Sequence, residues 1–510
     1  MAIVNVNPAN TWVNQHLNVS QAYDRLYDVF NPDVDGDPDF MTDLRPTISA
    51  LEGIVGDAID DGKRLRALGG GWSLSTAAVT DGRLINTKNL NWRFPLGAGG
   101  VSPGYPGDPS LLMYMQAGMS VAGANIALFE QTRQQALKTT GASNGQTMVG
   151  AFSTGTHGSR FQFGSMQDFV VALHIITGPG RVLWLERASY PVMADHIVAG
   201  VGAQLIRDDT IFNSALVSFG SFGVVYGIVI ETEPLYLLEE ERHRLPLNAP
   251  LRQAMRTLDF SGIPTPHPGE VPLHFELVVD PHNPAGGAYV TTMYRRPYRT
   301  DYDPPTVSAS GIGPGDDLLA VIGQLGDVIG LLVAPLVNTL VTTQYSEFGP
   351  GTPKPAQFGM PGEIFSATLS HQKEMSAEIG VALGDAERAL DLMLALPQVT
   401  DYPGLVSFRY VKKSKALLAF TKFDTTCAIE LPAAYADGTT AFYEAVWQGL
   451  ENAGIPFTLH WGQVNNFTPA RVRAMYGSAV DDWIKSRNSV LDPQARAVFN
   501  SPFLQSCGLG

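Results

Sequence analysis

Two cysteines, Cys427 and Cys507, are all that a chain of 510 residues contains. They lie far apart and outside any metal-type spacing, so neither a disulfide framework nor a zinc site is implied, and no metal is expected. Charge is scarce as well: charged residues make up 16% of the chain, and 34 Lys and Arg against 49 Asp and Glu leave a formal net charge of −15. Without basic clusters there is nothing to neutralise a phosphate backbone or an anionic lipid surface, which excludes nucleic acid and membrane surfaces as expected partners. The opening residues Met1-Ala2-Ile3-Val4-Asn5-Val6 lack the basic-then-apolar order of a secretory signal, and a cytoplasmic location is expected. Long uninterrupted apolar runs are also missing. Leu318–Val341 comes nearest, but Gln324, Asp327, Pro335 and Asn338 interrupt it, so a buried helix pair or hydrophobic lid is expected there instead of a membrane span.

What the chain does have is size, apolar residues and glycine. Hydrophobic residues are 45% of the total, with 52 Gly and 35 Pro, the composition of a loop-rich α+β protein. The length exceeds the ~250–300 residues that one core usually serves, so two domains are expected. Residues 1–40, dense in Asn, Pro and Asp, read as an irregular N-terminal arm. An amphipathic helix follows from Pro46, with Leu51, Ile54, Val55 and Ile59 on one stripe, and leads to a strand at Leu65–Leu68 cut off by Gly69-Gly70-Gly71 and Trp72-Ser73. Ser120 is placed to cap a helix running through Leu128 to Leu137, with Gly141 at its C-terminal end. The run Thr139–Asp168 is nearly uncharged, with Gly141, Gly145, Gly150, Gly155, Gly158 and Gly164 spread along it. A third glycine turn, Phe219–Gly223, feeds the β-branched strand up to Glu231. Backbone N–H groups in such turns point freely at an anion or a flat ring. Each turn taken alone reads equally as a surface loop. Further strands are expected near residues 273–279, 288–294, 406–411 and 426–431, and Ala377–Leu396 has helical spacing.

In this order and at these spacings, Leu68–Ser73, Gly141–Gly158 and Gly220–Gly227 resemble the FAD-binding domain of the vanillyl-alcohol oxidase, or PCMH-type, flavoprotein family. Gly150-Ala151-Phe152-Ser153-Thr154-Gly155-Thr156-His157-Gly158-Ser159 is similar to the signature of its sugar-lactone, alditol and sterol oxidase branch. The resemblance implies a two-domain α+β fold in which residues 41–238 bind FAD. Residues 239–485 would form an antiparallel-sheet substrate domain flanked by helices, and 486–510 would return to the FAD domain. It further implies that Gly69, Gly70, Gly71 and Ser73 cradle the pyrophosphate. Gly141, Ser143, Gly150, Thr154, Thr156, His157 and Gly158 would line the ring and ribityl chain, and Val225 and Ile228 would hold the adenine end. Trp72 stands where many relatives carry a histidine bonded to the flavin, and an indole offers no comparable nitrogen. Gly141-Ala142-Ser143 stands where others carry an anchoring cysteine. The FAD is therefore expected to be held without a covalent bond.

Oxidation by a flavin needs a cation near the developing negative charge and a base for the substrate proton. In the alditol-oxidase-like branch a Glu-x-Arg pair faces the flavin. Here Ser407-Phe408-Arg409 keeps the arginine and loses the carboxylate, and a period of two puts Ser407, Arg409 and Val411 on one face. The catalytic candidates are Arg409, His460 as a base near neutral pH, and Glu276, which shares a strand face with His274. Each also has a plain structural reading: a cross-sheet salt bridge, a backbone-bonded histidine and a solvated face. Gln463 replaces a lysine common in relatives. With Phe408, Tyr410 and Trp461 close by in sequence, a less polar site and a larger hydrophobic substrate are expected alongside small alcohols. The expected activity is that of an oxidase, taking hydride from a carbon next to OH or NH and reducing O2 to H2O2. A dehydrogenase using another acceptor and a catalytically inactive flavin-binding protein stay open as alternatives.

Overall fold

The computed structural model describes residues 3–305, 333–366 and 374–510. The first sheet has four strands in the order Val4–Asn7, Arg25–Val29, Arg83–Asn86 and Leu65–Leu68. The last two pairings are parallel. The helix Arg45–Asp60 crosses over from Arg25–Val29 to Leu65–Leu68, which run parallel on either side of Arg83–Asn86. Pro46 opens that helix, and Ile48, Leu51, Ile54 and Val55 are buried along the predicted stripe. The glycine triplet thus leaves the sheet directly from the end of Leu65–Leu68.

The N-terminal arm is more ordered than its composition suggests. It contains four short strands, Val4–Asn7, Asn10–Val13, Ser20–Tyr23 and Arg25–Val29. The partner of Arg25–Val29 is Arg83–Asn86, far away in sequence, so nothing local announces the pairing.

A second sheet orders Gln204–Arg207, Arg181–Glu186, Val170–Gly178, Val224–Glu231, Leu112–Gln116 and Arg93–Pro95. Its central strand Val170–Gly178 is buried along its whole length, and the expected hairpin with Arg181–Glu186 forms. Ser120 caps its helix as expected, accepting from the Gly123 N–H at 2.9 Å. That helix is short, Val121–Phe129, because Gln135–Ala136 is drawn into a ladder with Glu233–Pro234.

The chain then builds an eight-stranded sheet, antiparallel throughout. Its order is Gln357–Gly359, Tyr236–Leu245, Ala288–Pro297, His274–Val279, Val406–Lys412, Thr425–Ala434, Glu374–Ala382 and Phe457–Leu459. The helical reading of Ala377–Leu396 holds only for its second part. Ala377, Ile379 and Val381 alternate along a strand, and the helix spans Ala386–Ala395. Of Leu318–Val341, residues 318–332 lie outside the described residues. Val333–Gln344 is a helix, and its Val337 and Val341 pack with Val278, Tyr289, Tyr345 and Leu405. Among the described residues no helix is long and apolar enough to cross a membrane. The end of the chain packs back on the second sheet's surroundings: Trp483 Nε1 donates to the Val217 carbonyl at 3.1 Å, and Arg181 pairs with Asp492 at 2.5 Å.

Candidate active site

Three segments converge on one cleft: the glycine triplet, the small-residue run after Thr139, and the edge of the eight-stranded sheet. The first two lie almost backbone to backbone. A Cβ on Gly69 would fall 2.1 Å from Thr147 Oγ1, and one on Gly70 would fall 2.7 Å from the Gly145 carbonyl. Only glycine permits that approach. The sheet is stitched to the same loop. The N–H groups of Leu74 and Ser75 donate to the Gly462 carbonyl at 2.7 and 3.3 Å, and Ser75 Oγ donates to the Trp461 carbonyl at 2.6 Å.

The other wall is a row of charged side chains crossing the large sheet. In register, Glu276 lies opposite Arg409, Ser407 opposite Glu430, and Glu430 opposite Glu378. The His460 N–H donates to the Glu378 carbonyl at 3.0 Å. Arg409, 7% exposed, pairs through Nη2 with Glu430 and lies 3.9 Å through Nε from Glu276 Oε1. Hydroxyls brace both carboxylates: Ser407 donates to Glu276 at 2.7 Å and Ser376 to Glu430 at 3.1 Å. The carboxylate missing from Ser407-Phe408-Arg409 is thus supplied by neighbouring strands.

His157 reaches this row from the small-residue run, with Nε2 3.0 Å from Glu378 Oε1. Its Nδ1 lies 2.8 Å from the Gly158 carbonyl and donates to it, which leaves Nε2 turned toward the carboxylate. Burial pushes the Glu378 carboxyl up, but His157, His460 and Arg409 outweigh it and hold the group below its ordinary value. His460 is different. Burial pulls it down to about 4, its Nδ1 accepts the Gly462 N–H at 3.1 Å, and its remaining proton faces the Gly155 carbonyl. Both ring nitrogens are engaged, which does not suit the base expected from the sequence. His157, Glu378 and His460 bring their donor atoms within 4.8 Å of one another, with His460 Nδ1 occupied by the Gly462 N–H.

The comparisons with known proteins agree with this geometry. The profile of an FAD binding domain matches residues 46–186. The chain is 24% identical over 437 residues to L-gulono-1,4-lactone dehydrogenase of Mycobacterium tuberculosis (strain ATCC 25618 / H37Rv), covering 85% of this chain and 89% of that protein. It is 24% identical over 198 residues to L-gulonolactone oxidase of Bos taurus, 39% of this chain and 38% of that one. In fold it matches the crystal structure of cholesterol oxidase from B. sterolicum with a TM-score of 0.68 at 12% identity, covering 99% of this chain and 97% of the other. This chain carries an FAD binding domain and is an FAD-dependent oxidoreductase.

The flavoprotein's cleft fits its cofactor in two respects. It is lined by the bare backbones of Gly69, Gly70, Gly71, Gly141 and Gly150, and it contains a buried guanidinium, Arg66, whose Nε and Nη2 have no hydrogen-bond partner among the described residues. Gly69, Gly70, Gly71, Trp72, Ser73, Gly141, Ser143, Gly150, Thr154, Thr156, His157 and Val225 all line it, as do Arg409 and His460. Three of the expected residues do not. A Cβ on Gly158 would meet the Thr140 carbonyl at 2.5 Å, so this glycine serves packing and offers its carbonyl to His157. Ile228 is fully buried between Leu173 and Met115, because three residues of strand carry it ~10 Å beyond Val225. Glu276 is fully buried behind Arg409.

The aromatic side chains expected near the site stand elsewhere. Phe408, Tyr410 and Trp461 are fully buried away from the cleft. Tyr410 stacks on Phe275 at 5.6 Å and Trp461 on Phe467 at 4.2 Å. Glu378 and Glu430 take their place at the cleft. Sequence reading missed both, though a lone glutamate inside an apolar strand, as in Ala377-Glu378-Ile379 and Ile429-Glu430-Leu431, was the available signal. It also missed His16, which enters from the N-terminal arm and meets Trp72 edge-on at 5.5 Å.

Proposed function

We propose that this flavoprotein oxidises a carbon bearing a hydroxyl group in a small polar alcohol of the sugar or sugar-lactone class, and that O2 is the final acceptor, yielding H2O2. The observation that carries this reading is the cluster of Arg409, Glu430, Glu378 and His157 at one end of a glycine-lined cleft. When bound, FAD supplies the acceptor for the substrate's hydride. Arg409, oriented by Glu430 and Glu276, stabilises negative charge developing on the substrate oxygen. The hydroxyl proton passes to the His157–Glu378 pair, while His460 fixes the Gly462 and Gly155 backbone around them. The substrate class is supported by the cleft's charged lining and by the lactone-oxidising names of the relatives.

FAD is held without a covalent bond in this reading, since neither Trp72 nor Gly141-Ala142-Ser143 offers an anchor. Residues 41–238 hold the cofactor, 239–485 cover it and 486–510 return to it. The similarity to a dehydrogenase favours a second reading, in which a different acceptor replaces O2. Anaerobic mixing with aldonolactones, polyols and sterols separates these outcomes. A lactone or polyol should bleach the flavin, and air should restore its colour with release of H2O2. Bleaching by a sterol alone would overturn the substrate class, and colour that returns only with an added acceptor would overturn the oxidase reading.

A further inference from the structure

The strand Leu65–Leu68 delivers two things to the cleft, the glycine triplet and, just before it, Arg66. Arg66 is 2% exposed. Loss of water lowers its guanidinium to about 10, and no neighbouring charge acts in the opposite direction. Its Nη1 donates to the Phe219 carbonyl and so braces a turn in which Phe219 and Gly220 have φ of 54° and 71°. A Cβ on Gly220 would lie 3.1 Å from Nη1, so the turn also leaves room for the guanidinium. Nε and Nη2 remain without a hydrogen-bond partner among the described residues. The contrast with the cleft's other guanidinium is informative, because Arg409 is met by the carboxylates of Glu430 and Glu276. Burying a cation without a counter-charge is costly, as is burying N–H donors without acceptors. A fold that keeps both at the edge of an open cleft is complementary to an anion that arrives from outside.

We propose that Arg66 is the counter-charge for a phosphate of the bound FAD, so that this end of the cleft selects a phosphate-bearing dinucleotide over an uncharged flavin. The inference rests on the FAD reading above. It assigns Arg66 two jobs on different nitrogens: Nη1 braces the Phe219–Gly220 turn, and Nε with Nη2 meets the phosphate. A merely structural arginine would do only the first.

The test is the rate at which flavin fluorescence appears when the purified holoenzyme is diluted, measured for wild type, Arg66→Met and Arg66→Lys at low and high KCl. Loss of a charge-assisted contact should speed release about tenfold to a hundredfold in Arg66→Met. Arg66→Lys, which keeps the charge, should release FAD more slowly than Arg66→Met. KCl should accelerate release from wild type and have little effect on Arg66→Met. Wild-type release rates in Arg66→Met, or wild-type release that ignores KCl, would overturn the proposal. Should Arg66→Met fail to fold, the KCl dependence of wild type and Arg66→Lys decides alone, and its absence in both overturns the proposal. A wild-type protein that holds no flavin would overturn the FAD reading itself, a result separate from any of these.

Discussion

Nε2 of His157 lies 3.0 Å from Oε1 of Glu378, and both side chains are almost fully excluded from water. One residue comes from the glycine-rich run and the other from the large sheet, so the contact joins the cofactor wall to the substrate wall. A carboxylate and an imidazole at this distance can take up or return a proton without moving their heavy atoms.

Replacing Glu378 with Gln keeps the shape and removes the charge. Flavin reduction by substrate is expected to slow by about a hundredfold or more, with FAD content unchanged. Stopped-flow mixing under nitrogen reads this directly, and an unchanged rate would remove Glu378 from the chemistry.

Arg409→Ala removes the one cation at the reacting end of the cleft among the described residues and leaves Glu430 and Glu276 facing each other. A drop of roughly a hundredfold to a thousandfold in kcat/KM is expected, with bound FAD retained in the purified protein. Activity close to wild type would reduce Arg409 to a salt bridge across the sheet.

How much of this was legible beforehand differs between the two walls. Gly150–Ser159 could be read because its function depends on local backbone geometry, which is written in consecutive residues. The sheet wall could not. Arg409 stood out as a charge in an apolar strand, but its partners Glu430 and Glu378 come from strands whose neighbours are set by sheet order, and sheet order is a tertiary property. The same reason hid the strand pairing of Arg25–Val29. His460 reads as a base from its residue type, while its burial and the bond from the Gly462 N–H are tertiary features that the sequence does not show. Phe408 and Tyr410 were judged by closeness in sequence to Arg409, and the alternation of a strand sends neighbouring side chains to opposite faces.

Burial holds His460 at about 4 and His174, packed against Trp184 and Tyr226, at about 3. In the unfolded chain both titrate near ~6.5. Between these values the unfolded state binds more protons, so stability present above pH ~6.5 is lost as pH falls toward 4. The melting temperature of wild type should fall across this window. His174→Gln, which lies outside the active site, should show a shallower fall. Parallel curves would contradict the burial argument.

Glu241 shows the opposite sign. Burial, with Glu239 adding to it, raises its carboxyl to about 7, while the unfolded value is near ~4.3. The folded state binds the extra proton, so this contribution is present at pH 4 and is lost as pH rises through about 7. Glu241→Gln should therefore raise the melting temperature at pH 8 and change it little at pH 4. A destabilised variant at pH 8 would show that the carboxylate is needed in its charged form.

The most direct test of the whole account is the visible absorption spectrum of the purified protein, taken as isolated, after acid precipitation, and during anaerobic mixing with aldonolactones and polyols. The account predicts a yellow flavoprotein whose colour passes to the supernatant on precipitation and bleaches with at least one of these alcohols. Colour that stays with the pellet would contradict non-covalent binding. A colourless protein that takes up no added FAD would contradict the central claim.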